Sequence, residues 1–420
     1  MFPLIKNTLT QKNGSVAVLL MCIMGSFILI TGILIAASVS ASGKSYSDAT
    51  LQLSGKSILS EYDRKLLDEY GLICFRGDEK DMEKKLMYYA NGSFKSENHE
   101  YLGLSSTTKK VKLLKLSIDD VEVNLKDYSM INVDTYEDQI KEALKTKLFD
   151  TVTRTMNDKE TNRTLRNEIV IGSLPSSGYE GSSFPKLDDI ANIPDWNDVA
   201  GATGGKFSAN EYIMKVFKHA NKGNLDKETF FNNEVEYILE GKHSDDANYS
   251  DVKTKLYAMR FALNGIHILG SHTKMSEVKS IAAVSAAAGV PPPAAEAALI
   301  AAWTAAETEN DIDLLEKGEN VALIKTDANW ALTDLQKIAD GIKREEGVLP
   351  KSTNGQSYGD YLKIFLYLHD RETMLLRMMD LTQINMKGTY YRDFLFKEYF
   401  AGYRFNTSIR GDRFNYVQQY

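Results

Sequence analysis

Charge spacing is the clearest pattern near the start of the chain. No charged residue occurs between Lys12 and Lys44, a gap of 31 positions, and within it Val16 to Ala37 is a 22-residue apolar run. As a helix rising about 1.5 Å per residue, this run spans roughly 33 Å, enough for a hydrocarbon core of about 30 Å. A helix is expected because lipid offers backbone polar groups no other partner. The leader holds Lys6 and Lys12 and no acid, which places residues 1–12 in the cytoplasm and everything beyond Lys44 outside. Gly25, Ser26 and Gly32 are the small positions through which this helix is expected to pack with other membrane helices, because lipid supplies no hydrophobic drive to association. A cleaved secretory signal is the competing reading, with small residues at Val39, Ser40 and Ala41 and a cut between Ala41 and Ser42. The apolar run exceeds the roughly 7–15 residues of a signal h-region, so a retained single-pass anchor is expected.

Beyond the anchor the chain turns small and polar (Ser38, Ser40, Ser42, Gly43, Ser45, Ser47), and helical spacing resumes from Ala49 to Tyr70. Leu59, Tyr62, Leu66 and Tyr70, with Ile58 and Leu67 beside them, form the packing face of this expected stalk helix, and Gly71 is its stop. Two β-like runs follow, Val111 to Ser117 and Val121 to Leu125, and then an amphipathic helix over Thr135 to Thr155. Residues 172–208 are rich in Gly, Ser, Pro and Asn and read as a loop or linker. Helical patterns then cover 209–221, 227–240, 251–269, 273–289, 293–317, 328–346, 357–386 and 390–401. From Ile281 to Ala306, 13 of 26 residues are Ala, but the Pro291–Pro293 triplet and Glu296 divide the stretch, so two packed helices are expected rather than a second membrane pass. The expected fold is α+β and predominantly α. Its expected parts are a cytoplasmic leader (1–12), a transmembrane segment (13–43), a stalk (44–75), an α+β region (76–171), the Gly/Ser-rich loop (172–208) and a helical exported domain (209–420).

Composition narrows the function classes. Hydrophobic residues at 43% and charged residues at 25% are ordinary for a globular chain and exclude general disorder. Fifty Lys and Arg against 57 Asp and Glu give a net charge of −7, which argues against a nucleic-acid partner. Two cysteines exclude a disulfide framework or a Cys-rich zinc module, and Cys22 lies in the apolar helix, away from Cys74.

The signatures of catalysis mostly fail. The Gly-rich stretch Ala200 to Phe207 lacks the spacing of a phosphate loop and has Phe207 where Ser or Thr would hold magnesium. Neither a G-x-S-x-G elbow nor an H-E-x-x-H pair occurs. Of the six histidines, His267 and His272 are the close pair, five apart, which is poor spacing for one helical face. Residues 243–251 read as a solvated acidic loop and Cys74 as a buried thiol; the charged cluster around His369, Asp370, Arg371, Arg377 and Asp380 reads as structural ion pairing. No catalytic, cofactor-binding or metal-ligating residue is assigned, no cofactor is expected, and the chain is expected not to be an enzyme.

The segment from Asn13, "NGSVAVLLMCIMGSFILITG", resembles the N-termini of TadE- and TadG-like proteins of the Tad (Flp, type IVc) pilus system. In prepilin-like members the leader is cut after its glycine, which maps here to Gly14 and Ser15. Major pilins and TadE-like members have Glu at the fifth mature position, where this chain has Leu19, and the D-x-S-x-S motif of many TadG proteins is absent. The blocks Ser57–Leu72, Lys110–Val123, Ala301–Trp330 and Tyr361–Met386 are similar to those of a functionally uncharacterised bacterial family. Its members have one N-terminal membrane helix and are encoded beside Tad pilus genes. The resemblance implies a pseudopilin-like structural or accessory component of a Tad-type pilus or secretion apparatus, with the lipid bilayer and other Tad-like proteins as partners. Two further classes stay open. One is an exported cell-wall or peptide hydrolase using His267, His272 or His369; the other is a surface ligand-binding protein using residues 172–208.

Overall fold

A computed structural model of the chain describes residues 15–96, 116–146, 174–179, 205–221, 229–340 and 355–420. The fold is predominantly helical with a small β element, as the sequence predicts. The chain forms two compact units: unit 1 gathers the residues up to Tyr62, Cys74–Tyr128 and Phe400–Tyr420, and unit 2 gathers Asp63–Ile73 and Ser129–Tyr399.

Unit 1 is organised by helix α1 (Ser15–Leu59), 45 residues long. From Val16 to Ser42 nearly every side chain is exposed, including Met21 at 75% and Leu29 at 68%. This half is long and apolar enough to cross a membrane and is compatible with a single-pass anchor. Beyond it, Gly43, Ser47, Thr50, Leu51, Ser54, Gly55, Ile58 and Leu59 are buried at three- and four-residue spacing. Mostly small near its start, this stripe lets a sheet approach closely. The sheet has the order β1–β2–β3, from β1 (Asp120–Asn124), β2 (Gly402–Ile409) and β3 (Asp412–Gln419), all antiparallel. Asp120 pairs with Ser408 and Asn124 with Arg404; Gly402 pairs with Gln419 and Ile409 with Asp412. Along β2, Tyr403, Phe405, Thr407 and Ile409 point inward and Arg404 and Asn406 outward, the period-2 alternation of a strand with one buried face. The β2–β3 turn is Arg410–Gly411, with φ of 54° and 83°. Helix α3 (Glu79–Ser96) adds Met82, Leu86 and Ala90, one face at i+4 spacing, to a core with Leu51, Ile58, Val123 and Phe405.

In unit 2, helix α12 (Arg371–Thr389) is buried along most of its length, against α4 (Val133–Lys145), α5 (Gly205–Val216) and α6 (Glu234–Glu240). Helices α7 (Asp245–Gly270), α8 (His272–Ser285) and α9 (Pro292–Glu316) pack on one another, and short α10 (Leu335–Ala339) closes a second core of Ile268, Val278, Trp303, Trp330 and Leu335. The Ala-rich stretch forms two helices, turned at Gly289 with φ 80° and restarted at Pro292, as expected.

Several expected elements differ. The stalk helix over 49–70 breaks: α1 ends at Leu59 and α2 (Arg64–Tyr70) starts afresh, because the Asp63 carboxylate accepts the N–H groups of Lys65 (2.9 Å) and Leu66 (3.2 Å) as an N-cap. Gly71 does terminate α2, in a left-handed conformation with φ 65°. The helix expected over 357–386 is two helices, α11 (Tyr358–Leu368) and α12, separated where Asp370 caps Thr373. The acidic stretch 243–251 is the start of α7, capped by Ser244, rather than a loop. Residues 390–401 contain a 3₁₀ turn (Phe396–Glu398) and a short strand (Tyr399–Phe400) instead of a helix, and the C-terminal hairpin was missed entirely. Residues 111–115, 147–155, 172–173, 180–204, 227–228 and 341–346 of the expected elements lie outside the described residues; of the helix expected over 328–346 the described part is α-helical only over Leu335–Ala339, and α5 already begins at Gly205, inside the expected loop.

Candidate functional site

Helix α1 and its seat in unit 1 form the first candidate. Gly25 and Gly32 have nothing within 4 Å of where a Cβ would stand, and the exposed Ser26 hydroxyl donates to the Cys22 carbonyl at 2.8 Å. Among the described residues these three therefore touch no other element. Ser15 is the first residue of α1, Gly14 lies outside the described residues, and Ala41 and Ser42 sit exposed inside the helix. Of the expected stalk face, Leu59 is buried in unit 1, where Tyr62 sets its ring edge-on to Tyr420 at 6.4 Å. Leu66 and Tyr70 are buried in unit 2, so the four residues do not line one helix.

Three tyrosines of the C-terminal hairpin hold α1. Tyr403 donates to the Gly55 carbonyl at 3.0 Å, Tyr416 to the Asp48 carboxylate and Tyr420 to the Leu59 carbonyl. Glu61, just past α1, accepts Lys85 Nζ and the Tyr89 hydroxyl of α3, each at 2.8 Å. Burial alone would lower the Lys85 amine, but the hydrogen bonds to Glu61 and Asp81 outweigh it and hold its pKa above the ordinary lysine value.

A second candidate is a buried ionic quartet in unit 2. Arg260, on α7, gives Nε and Nη2 to Asp311 Oδ2 at 3.0 and 2.8 Å. Its Nη1 reaches the carbonyls of Ala322 (3.0 Å) and Leu323 (2.7 Å) and the Tyr361 hydroxyl (3.1 Å), and Nη2 also reaches Asn264 (2.9 Å). Lys325 Nζ lies 2.6 Å from Asp311 Oδ1 and also pairs with Glu307, whose two oxygens accept the N–H groups of Ala331 and Leu332, each at 2.9 Å. Arg260, Asp311 and Glu307 are fully buried and Lys325 nearly so. Two cations and two anions balance, and every guanidinium nitrogen is engaged, so the cluster presents no free donor to a ligand. Beside it, Lys274 Nζ stands over the rings of Trp303 (4.6 Å) and Trp330 (4.2 Å). Desolvation lowers the Lys274 amine.

Two buried acids on α6 pin the segment after α5. Glu234 accepts the Lys218 N–H (2.9 Å) and the Asn385 amide (2.6 Å), and Glu236 accepts the Ala220 N–H (3.0 Å) and the Tyr358 hydroxyl (2.8 Å). Burial pushes the Glu236 carboxyl up to about 7. Asp380 accepts the Ser176 N–H at 2.9 Å and the Tyr237 hydroxyl at 3.0 Å, and it too is raised by burial.

The histidines named by the sequence are dispersed. His267 meets Asp327 at 3.1 Å and lies 5.2 Å from the Trp330 ring, and His272 is exposed at the start of α8. His369 is buried, with its ring nitrogens against the carbonyls of Leu239 (3.0 Å) and Asp370 (3.3 Å). Arg371 pairs with Asp134 and Glu137, and Arg377 donates to the Ile238 carbonyl. Cys74 is buried, as its apolar neighbours suggest. Among the described residues no three His, Cys, Asp or Glu side chains are grouped to hold a metal. Sequence reasoning missed the quartet, although Trp303, Glu307, Asp311 and Leu315 recur at i+4 and so place two acids on an otherwise apolar face.

Comparison with known proteins gives one match. The model of a family of unknown function (DUF5702) matches residues 129–411, about two thirds of the chain. No curated protein and no solved structure matches.

Proposed function

The chain belongs to the DUF5702 family, and from that premise we propose that it is a membrane-anchored extracytoplasmic structural component, pseudopilin-like, of a Tad/Flp-type pilus or secretion apparatus. One observation carries the anchor. In the single helix α1 the exposed apolar half passes without interruption into the half that lies in the core of unit 1. Unit 1 is thereby mounted on the membrane helix with no flexible linker, as a subunit that must present a fixed surface to its neighbours requires. The basic leader sets the N-terminus inside. The Tad assignment rests on the likeness of residues 13–32 to TadE- and TadG-like N-termini. The buried, charge-balanced quartet supports a structural role in unit 2, since its polar groups are engaged by each other and by the backbone and side chains packed around them.

Two experiments in the native host separate the parts of this reading. Carbonate-washed membranes should retain the full-length chain, and protease added to protoplasts should digest it from outside; recovery in the cytosol removes the anchor. Deleting the gene should abolish or shorten Tad-type pili. A strain with normal pili and normal secretion removes the Tad assignment and leaves the anchor standing.

A further inference from the structure

We propose that the β2–β3 turn of unit 1 is a lipid-binding tip, in which Arg410 and Arg413 hold the phosphates of anionic glycerophospholipids at the outer face of the membrane. The inference rests on α1 being the anchor. The first 29 residues of α1, Ser15 to Gly43, carry no charge. At about 1.5 Å per residue they measure roughly 44 Å, which matches the ~40–45 Å of a bilayer with both headgroup layers. Lys44, the first charged residue of α1, then stands at the level of the outer phosphates.

Strand β3 runs alongside α1 and fixes which end of unit 1 meets that level. Asp412 lies 3.7 Å from Lys44, Tyr416 bonds Asp48, the Gln418 side chain touches Gly55, and Tyr420 bonds Leu59. The turn is therefore the membrane-facing end of the hairpin, and β3 leads away from it. At the same level the half-buried rings of Tyr46 and Phe94 lie 6.0 Å apart, residue types suited to the headgroup layer.

The turn is also chemically unusual. A two-residue hairpin with both φ values positive is normally Asn-Gly or Asp-Gly, yet here Arg410, at φ 54°, precedes Gly411. A long cationic side chain is thus held in a left-handed conformation that favours shorter residues, at the point of the hairpin nearest the bilayer. Arg410 and Arg413 are both exposed and form no ion pair with a described residue. Of the acids at this end, Asp412 faces Lys44, while Asp119 and Asp120, the latter accepting the Ser408 hydroxyl, balance the two arginines in charge, so phosphate would be held by the guanidinium forks themselves rather than by a net positive surface. A guanidinium fork matches phosphate bidentately, which makes Arg the fitting residue at such a surface.

The test uses the full chain in nanodiscs of phosphatidylcholine alone and of phosphatidylcholine with phosphatidylglycerol, read by hydrogen–deuterium exchange of the peptide covering residues 408–414. Each basic side chain gains about fivefold in affinity at an anionic surface, so exchange of this peptide should be measurably slower in the anionic discs. R410E combined with R413E should erase the difference while the chain stays in the disc and peptides of α3 exchange as before. Equal exchange in the two disc types overturns the proposal. So does equal protection by inorganic phosphate in detergent, which would make the tip a general anion site. A chain that fails to enter the discs removes the anchor and this inference together.

Discussion

Arg260 is the residue on which unit 2 is most exposed to damage. Replacing it with Leu leaves Asp311 buried beside Lys325 with its guanidinium partner gone, and breaking a buried pair in this way costs about 3–5 kcal/mol. A denaturant melt of Arg260→Leu should show that loss, and Arg260→Leu with Asp311→Leu should recover a large part of it, because Lys325 and Glu307 still balance. Glu236 gives a pH signature. Its folded pKa, about 7, lies above the ordinary glutamate value of about 4.5, so its contribution is complete below about 4.5 and is lost as pH rises through about 7. The loss is of the order of 3 kcal/mol. Stability measured at pH 5 and pH 8 should differ in that direction, and Glu236→Gln should shrink the difference. None of these residues stood out in the sequence, because a buried charge is recognised by its partners. Arg260 and Asp311 are 51 positions apart, and Glu236 and Tyr358 are 122 apart.

At the level of elements, most helices were legible from an apolar face that repeats, though α3 was not read despite Met82, Leu86 and Ala90 at i+4, and helix ends were legible where a cap stood on the correct side of the pattern. Gly71 marks such an end. Asp63 marks a start that was overlooked, because Ile58, Tyr62, Leu66 and Tyr70 keep i+4 spacing across the break between α1 and α2 and so mimic one helix. Asp63→Ala removes the cap and the acceptor of the Tyr399 hydroxyl at 3.1 Å, and should cost about 1 kcal/mol in a thermal melt, with Asp63→Asn keeping most of the cap. The C-terminal strands had the opposite fault. Tyr403, Phe405, Thr407 and Ile409 alternate plainly, but a strand is recognised only with partners to pair with, and β1 precedes β2 by nearly 280 residues.

For the whole molecule, the membrane-length helix and the helical class could be read directly, since both depend on composition and local period. The division into two units could not. Unit 1 draws on three separated stretches, and the family match over 129–411 runs from unit 2 into β2 and the turn. The exposed half of α1 makes no contribution to either core, so a chain beginning at Gly43 should be soluble without detergent and should still melt cooperatively. Aggregation of that variant would show that the first half of α1 supports the fold as well as the attachment.

The late position of β2 and β3 has a consequence for biosynthesis. In synthesis α1 is made first, yet the strands that cover its buried half arrive only after unit 2 has been translated. Until then β1 is an open edge, and the stripe through Leu51 and Ile58 has α3 against it but no sheet. A polypeptide released early would keep α1 and lack β2 and β3, and limited proteolysis should cut it faster than the finished chain.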